Sequence, residues 1–259
     1  MNTLTIKREN TSDLFRFAWF RDFDKALCDL RSLAMEEEWD YKLNPTGKPA
    51  ILRSYIHHTF SKLQQEGKIE ATENYCIFNT GLATENQEEI FGHFGKNKKP
   101  DASSPWFFYG WEKSSSVNLR KFSKLPETAD YFTAPSDLIY DSSRELRINI
   151  DHIIEDNKNR FPESLKVMDN YMLGNILLGT VNDAKRRVKR NYKTAIPQFF
   201  NGRIQLLLPL CLEAKNKADL ALTVQKENDS YHASTCLTLD MAMNNARLIA
   251  KPDDEWLKI

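Results

Sequence analysis

Three apolar runs near the C-terminal end limit the folds open to this chain. Residues 220–225 (LALTVQ) and 231–239 (YHASTCLTL) flank 226–230 (KENDS), which has the composition of a hairpin loop. Just upstream, residues 203–212 (RIQLLLPLCL) read as a buried strand. Pro209 limits that strand's ladder or places it at an edge, because proline donates no ladder hydrogen bond. A run of strands at such short spacing calls for an antiparallel or mixed sheet, and its apolar faces need helices to cover them.

Helical patterns supply that cover. From Ser12 onward, Trp19, Phe20, Phe23, Leu27, Leu30 and Ala34 recur at three- and four-residue steps, with Thr11, Ser12 or Asp13 available as the cap. A second helix carries Leu52, Tyr55, Ile56, Thr59, Phe60 and Leu63, with Pro49 in its first turn and Gly67 as its C-terminal cap. Short strands are then expected at 68–69 and 75–78, a turn at Asn79-Thr80-Gly81 and a short helix over 86–94. The Lys-, Ser- and Pro-containing segment 96–105 reads as an exposed loop, and WFFYGW (106–111) as a strand. Residues 148–154 fit either period; Asn149 as a cap with Asp151 in the first turn favours helix. One long helix is expected over 163–190, seamed by Leu173, Leu177, Val181, Ala184 and Val188, and a last helix over 241–250. The chain is therefore read as α+β, with a mixed or mainly antiparallel sheet, packed helices and a helical N-terminal part. Its expected organisation is a helical, winged-helix-like part over 1–112, a connecting segment over 113–145 and an α+β part with antiparallel strands over 146–259, or one continuous domain.

Lys plus Arg and Asp plus Glu both total 36, so any anion site must come from local clustering. Cys28, Cys76, Cys211 and Cys236 are widely spaced, with no CxxC and no histidine pair at ligand spacing. This argues against a metal site or a disulfide scaffold and for reduced thiols in the cytoplasm. No stretch approaches the roughly 18 uninterrupted apolar residues of a membrane span, and the first residues lack a signal-peptide core. No cofactor fingerprint is present.

The sharpest local feature is basic. Five cations fill the six positions 185–190, and Lys193, Pro197, Gln198, Phe199 and Phe200 follow. Cations at a helix C-terminus complement the macrodipole by about 0.3–1 kcal/mol each. Five also repel one another, which an anion such as phosphate relieves. The segment thus reads either as a solvated helix end or as an anion site centred on Lys189, Arg190, Asn191, Lys193 and Gln198, with aromatic rings for base stacking. Asp240 is expected to be an N-cap. Asn244 and Asn245 are poor mid-helix residues, and Asn245 shares a face with Met241, Leu248 and Ile249, so it must organise a strand edge or a ligand, with Arg247 nearby. His152, among acids and near Arg160, is the candidate acid or base.

Several segments resemble the family called domain of unknown function 3825. They are residues 52–60 (LRSYIHHTF) with 66–69 (EGKI), 78–82 (FNTGL), 190–198 (RNYKTAIPQ), 205–210 (QLLLPL), and 237–242 (LTLDMA) with 244–247 (NNAR). The resemblance implies no established activity. It implies a context, because such domains occur alone or beside nucleic-acid-binding modules, and so points by association to RNA and to a nucleic-acid-binding partner protein.

Three functions follow as expectations. The first is a nucleotide- or RNA-directed protein, in which Lys189, Arg190, Lys193 and Arg247 neutralise phosphate while Asn191, Gln198, Asn244 and Asn245 orient the ligand. It includes the option of an enzyme acting at phosphate or ribose through His152. The second is a non-catalytic nucleic-acid-binding module presenting Arg53, His57 and Lys62 from a winged-helix-like N-terminal part. The third is a protein-interaction subunit using WFFYGW as an exposed patch.

Overall fold

The computed structural model describes residues 12–99 and 103–251, an α+β chain that divides into two compact units. One unit holds the residues up to Asp40 and Thr46–Asp130; the other holds Tyr41–Pro45 and the residues from Tyr131 onward. The expected connecting segment 113–145 is thus shared between them.

The first unit contains α1 (Asp13–Phe17), β1 (Ala18–Trp19), α2 (Phe23–Leu33), α3 (Ala50–Gln65), β2 (Glu70–Ala71), β3 (Tyr75–Ala83), β4 (Glu89–Lys96) and β5 (Trp106–Lys113). Its sheet runs β1-β5-β4-β3-β2, parallel between β1 and β5 and antiparallel elsewhere. The second helix is as expected, with Leu52, Tyr55, Ile56, Thr59, Phe60 and Leu63 all buried and Gly67 beyond its end at φ 67°. The first expected helix is broken. Its chain leaves helix at Ala18 to pair with Trp106 and Phe107, and Asp22 starts α2 by accepting from the Lys25 N–H at 2.9 Å. The expected cap Thr11 lies outside the described residues, as do residues 100–102 of the expected exposed loop.

The expected turn at 79–81 and helix over 86–94 are overturned. β3 runs through Asn79-Thr80-Gly81, and a bulge there uses the positive φ of Gly81 (72°), while residues 89–96 form β4 beside it. Ile90, Phe91, His93 and Phe94 are buried on both faces of that strand, which removes the alternation that marks a strand in sequence. WFFYGW is a strand as expected, with its rings divided by face: Trp106, Phe108 and Trp111 pack with the helices, whereas Tyr109 is exposed. α3 leads into this five-stranded sheet rather than into a winged helix's short hairpin.

The second unit contains β6 (Glu145–Ile148), α4 (Ile150–Asn157), α5 (Glu163–Lys166), α6 (Asn170–Arg190), β7 (Ile196–Phe200), β8 (Arg203–Leu210), β9 (Leu220–Glu227), β10 (Ser230–Thr238) and α7 (Leu239–Ala246). Its sheet runs β6-β10-β9-β8-β7, with β6 parallel to β10 and the rest antiparallel. Asn149 caps α4 through the His152 N–H, as its position suggested. The long helix is split, because Asp169 accepts from Tyr171 and Met172 and so starts α6 afresh. The seam Leu173, Leu177, Val181, Ala184 and Val188 is buried against Leu206, Leu208, Leu222 and Val224 on one sheet face. α7 packs on the other face, over Ile196, Leu207, Ala221 and Leu237. Pro197 lies in edge strand β7, where a missing N–H is tolerated. Pro209 lies past the last residue that β7 pairs, so it has a ladder partner only in β9, at Ala221. Among the described residues no helix is long and apolar enough to cross a membrane.

His57 shows what packing does to a titratable group. It lies against the rings of Phe15 and Phe23, and burial, with Arg53 and His58 adding to it, pushes its pKa down to about 4. The unfolded chain, with its histidine near 6.5, takes up that proton first. The stability held by the neutral ring is therefore complete above about pH 6.5 and is lost as pH falls toward 4. Urea unfolding across this window is expected to show a falling free energy, and a shallower fall in His57→Leu; equal slopes would remove His57 from the account.

Candidate functional site

α7 is eight residues long and covers only part of its sheet face. Beside it lies a pocket of about 540 Å³, within the range of small-molecule sites. Its floor is a polar part of the sheet. Register places Gln198 opposite Gln205, and Leu207, Thr223 and Thr235 in one cross-strand row. The walls come from Asp240, Met241, Asn244 and Asn245 on or beside α7, from Tyr41 and Asn44, from Phe200, and from Arg160.

The amides form a directed chain. Asn245 Nδ2 donates to Gln198 Oε1 at 3.1 Å, Gln198 Nε2 to Gln205 Oε1 at 2.8 Å, and Gln205 Nε2 to Gln225 Oε1 at 3.1 Å. Gln225 Nε2 in turn donates to Glu227 Oε1 at 3.4 Å. A carboxylate only accepts, so Glu227 sets the sense of every bond. At the other end, Asn244 Nδ2 reaches Asn245 Oδ1 at 3.5 Å, and Asn244 Oδ1 is buried with no partner.

Asp240 shapes the opposite wall and is not the expected N-cap; Thr238 is, accepting from the Met241 N–H. The buried Asp240 carboxylate instead accepts from the N–H groups of Lys42 (3.2 Å), Leu43 (3.3 Å) and Asn44 (3.1 Å) and from Asn44 Nδ2 (3.2 Å). That holds residues 41–45 against the pocket. Arg160 is held from behind. Its Nη1 donates to Asn157 Oδ1 at 2.6 Å and to the Cys236 carbonyl, while the same Asn157 oxygen accepts from the Cys236 N–H at 3.2 Å and from Thr235 Oγ1 at 2.8 Å. These bonds sit at the irregular register of β10, where the ladder alone leaves backbone groups over. Among the described residues Arg160 makes no ion pair, so a half-buried guanidinium faces the pocket without a carboxylate. Thr223, 5% exposed on the floor, has no partner for its hydroxyl.

The structure brings Gln198, Asn244 and Asn245 together here, and not the other expected residues. Lys189 and Arg190 are exposed in the last turn of α6; Asn191 caps the turn after it by accepting from the Lys193 N–H, and Lys193 is exposed. Arg247 is buried just past α7 but does not line the pocket. His152 is exposed and paired with Asp156 at 3.2 Å. Arg53 pairs with Asp24 and lies over the Phe23 ring, His57 packs as above, and Lys62 pairs with Glu66 at 2.8 Å. Thr223, Tyr41 and Asn44 are not marked as site residues by the sequence, because each sits singly in a strand or turn, while Arg160 stands out only beside His152 and Gln205 only within a segment resembling the family. Among the described residues no cluster of three His, Cys, Asp or Glu could hold a metal ion.

A family described as Domain of unknown function (DUF3825) matches residues 30–256. The chain belongs to the DUF3825 family. The whole pocket lining, from Tyr41 to Asn245, falls inside the DUF3825 match. No curated protein and no solved structure matches the chain.

Asp240→Ala is expected to release residues 42–44. Hydrogen exchange should show those three amides losing protection, with unfolding free energy lowered by about 1–3 kcal/mol; unchanged protection would mean other contacts hold the wall.

Proposed function

We propose that the second unit is a receptor for a nucleotide-like, phosphate-bearing small molecule. One observation carries this reading: the Thr223 hydroxyl is buried without a partner on the floor of a pocket that Arg160, which has no carboxylate partner among the described residues, also lines. An unsatisfied buried hydroxyl costs free energy that a bound acceptor restores. A guanidinium is the side chain best suited to phosphate or carboxylate.

The amide chain supports a base-like group. Its fixed sense leaves Asn244 Oδ1 as an acceptor in want of an N–H donor, which a nucleobase's amino or ring N–H provides. Phe200 and Met241, 48% and 40% exposed at the pocket, with Tyr41 beside them, offer apolar contact to a planar ring. Donor, ring and anion on one molecule describe a nucleotide better than a sugar phosphate or an acyl group. The titratable side chains of the lining are Tyr41, Arg160 and Asp240, and both Asp240 oxygens are committed to backbone. That set favours recognition over acid–base chemistry. We place the protein in the cytoplasm, whose reducing conditions suit its four free cysteines.

Calorimetric titration with the four common nucleoside 5′-monophosphates, their nucleosides and inorganic phosphate tests the reading. At least one nucleotide is expected to bind more tightly than its nucleoside or phosphate alone. Thr223→Val should weaken that binding by about three- to tenfold, while leaving the ligand-free protein as stable as before or more so. Absence of binding by all four nucleotides, or equal binding by Thr223→Val, would remove the proposal.

A further inference from the structure

The first unit carries a separate feature that its core does not account for. On the sheet face away from the helices, Trp19 lies opposite Phe107, Phe107 opposite Gly95, and Gly95 opposite Tyr75, a single row crossing four strands. Trp19 stacks on Phe107 with ring centroids 5.2 Å apart and planes 29° from parallel, and Tyr109 continues the line 5.6 Å from Phe107. Gly95 makes that continuity: a Cβ there would lie 2.3 Å from the Tyr109 ring, so the missing side chain lets the tyrosine lie against the strand. At the far end Lys121 Nζ stands 3.5 Å above the Tyr75 ring.

Trp19 is 45% exposed and Tyr109 54% exposed. Single exposed aromatics are ordinary, but rings aligned across a sheet and left in water are not. The same face has its own closed apolar cluster of Ile77, Phe91, Leu119 and Phe122, so the outer rings are additional to that packing. The charge beside them is positive. Lys98 and Lys99 follow directly from β4, Lys121 caps the row, and all three are exposed with no ion pair among the described residues. Lysine is depleted at protein–protein interfaces, whereas rings interleaved with cations are how sheet surfaces hold unpaired bases and their phosphates.

We propose that this face binds single-stranded nucleic acid, with bases stacked on Trp19, Phe107 and Tyr109 and the backbone held by Lys98, Lys99 and Lys121. Bases inside a duplex have no free faces to offer, so the surface selects unpaired strands. The proposal uses no residue of the pocket in the second unit and stands or falls separately from it.

Fluorescence anisotropy with the full chain and a labelled, unpaired oligonucleotide of about 12 residues tests it, against a duplex of the same length. The single strand is expected to bind more tightly than the duplex. Trp19→Ala and Tyr109→Ala should each weaken binding by about fivefold or more, and Tyr109→Phe should retain it. Lys98→Ala and Lys99→Ala should each reduce the slope of log affinity against log salt by about 0.7. Both ring positions are exposed, and circular dichroism confirms that the variants are folded. No binding of the single strand, equal binding of the duplex, or affinity indifferent to both ring deletions would overturn the proposal. So would a protein partner that occupies the row while the oligonucleotide does not bind.

Discussion

The second unit depends on how the Asp240 carboxylate is satisfied. A carboxylate removed from water costs several kcal/mol unless hydrogen bonds replace its hydration. Here three consecutive backbone N–H groups and one side-chain amide do so, all from residues 42–44. The arrangement works in both directions, since those N–H groups belong to a segment without regular structure and also need acceptors. One buried charge therefore fixes a stretch of loop chiefly by its backbone, with Asn44 adding the one side-chain bond. It places Tyr41 and Asn44 in the pocket wall.

The same economy governs the floor. A sheet face that a helix covers is apolar, as at Leu207, Ala221 and Leu237 under α7. Where α7 ends, the face turns polar through Gln198, Gln205, Thr223, Gln225 and Thr235. The amides satisfy one another in sequence toward Glu227, so most of this polar surface costs the fold little. Of the polar groups on this face, the Thr223 hydroxyl and Asn244 Oδ1 remain unsatisfied, and both residues line the pocket. Residual unsatisfied groups gathered in one concavity are the mark of a surface shaped for something besides stability.

The readability of these features in sequence varied with how local they are. The β9–β10 hairpin, α3 and the α6 seam were legible because a short window contains both the apolar pattern and its punctuation. β4 was not, since burial on both faces leaves a run without a period, and Asn79-Thr80-Gly81 mimics a turn while serving as a strand bulge. Asn245 stood out as an amide on an apolar face, and Gln198 was named beside it; their bond across 47 positions was invisible without the register of β7. Arg160 stood out only as a neighbour of His152, and Thr223 had no signal at all, because an ordinary strand threonine becomes informative only when its hydroxyl is found buried and alone.

The basic run illustrates the converse. Lys189, Arg190 and Lys193 stand in water, where like charges cost little and need no ligand to offset them. A dense cluster in sequence is cheap for that reason. The cation in the pocket is a single arginine, and its surroundings explain why it is single. It is half-buried, its Nη1 is fixed by Asn157 and the Cys236 carbonyl, and a second guanidinium beside it would repel it in a medium poorer in water. Burial thus selects against the clustering that makes a charged motif conspicuous. A buried anion site assembled from distant parts of a chain should be sought through the hydrogen bonds that hold its one cation in place.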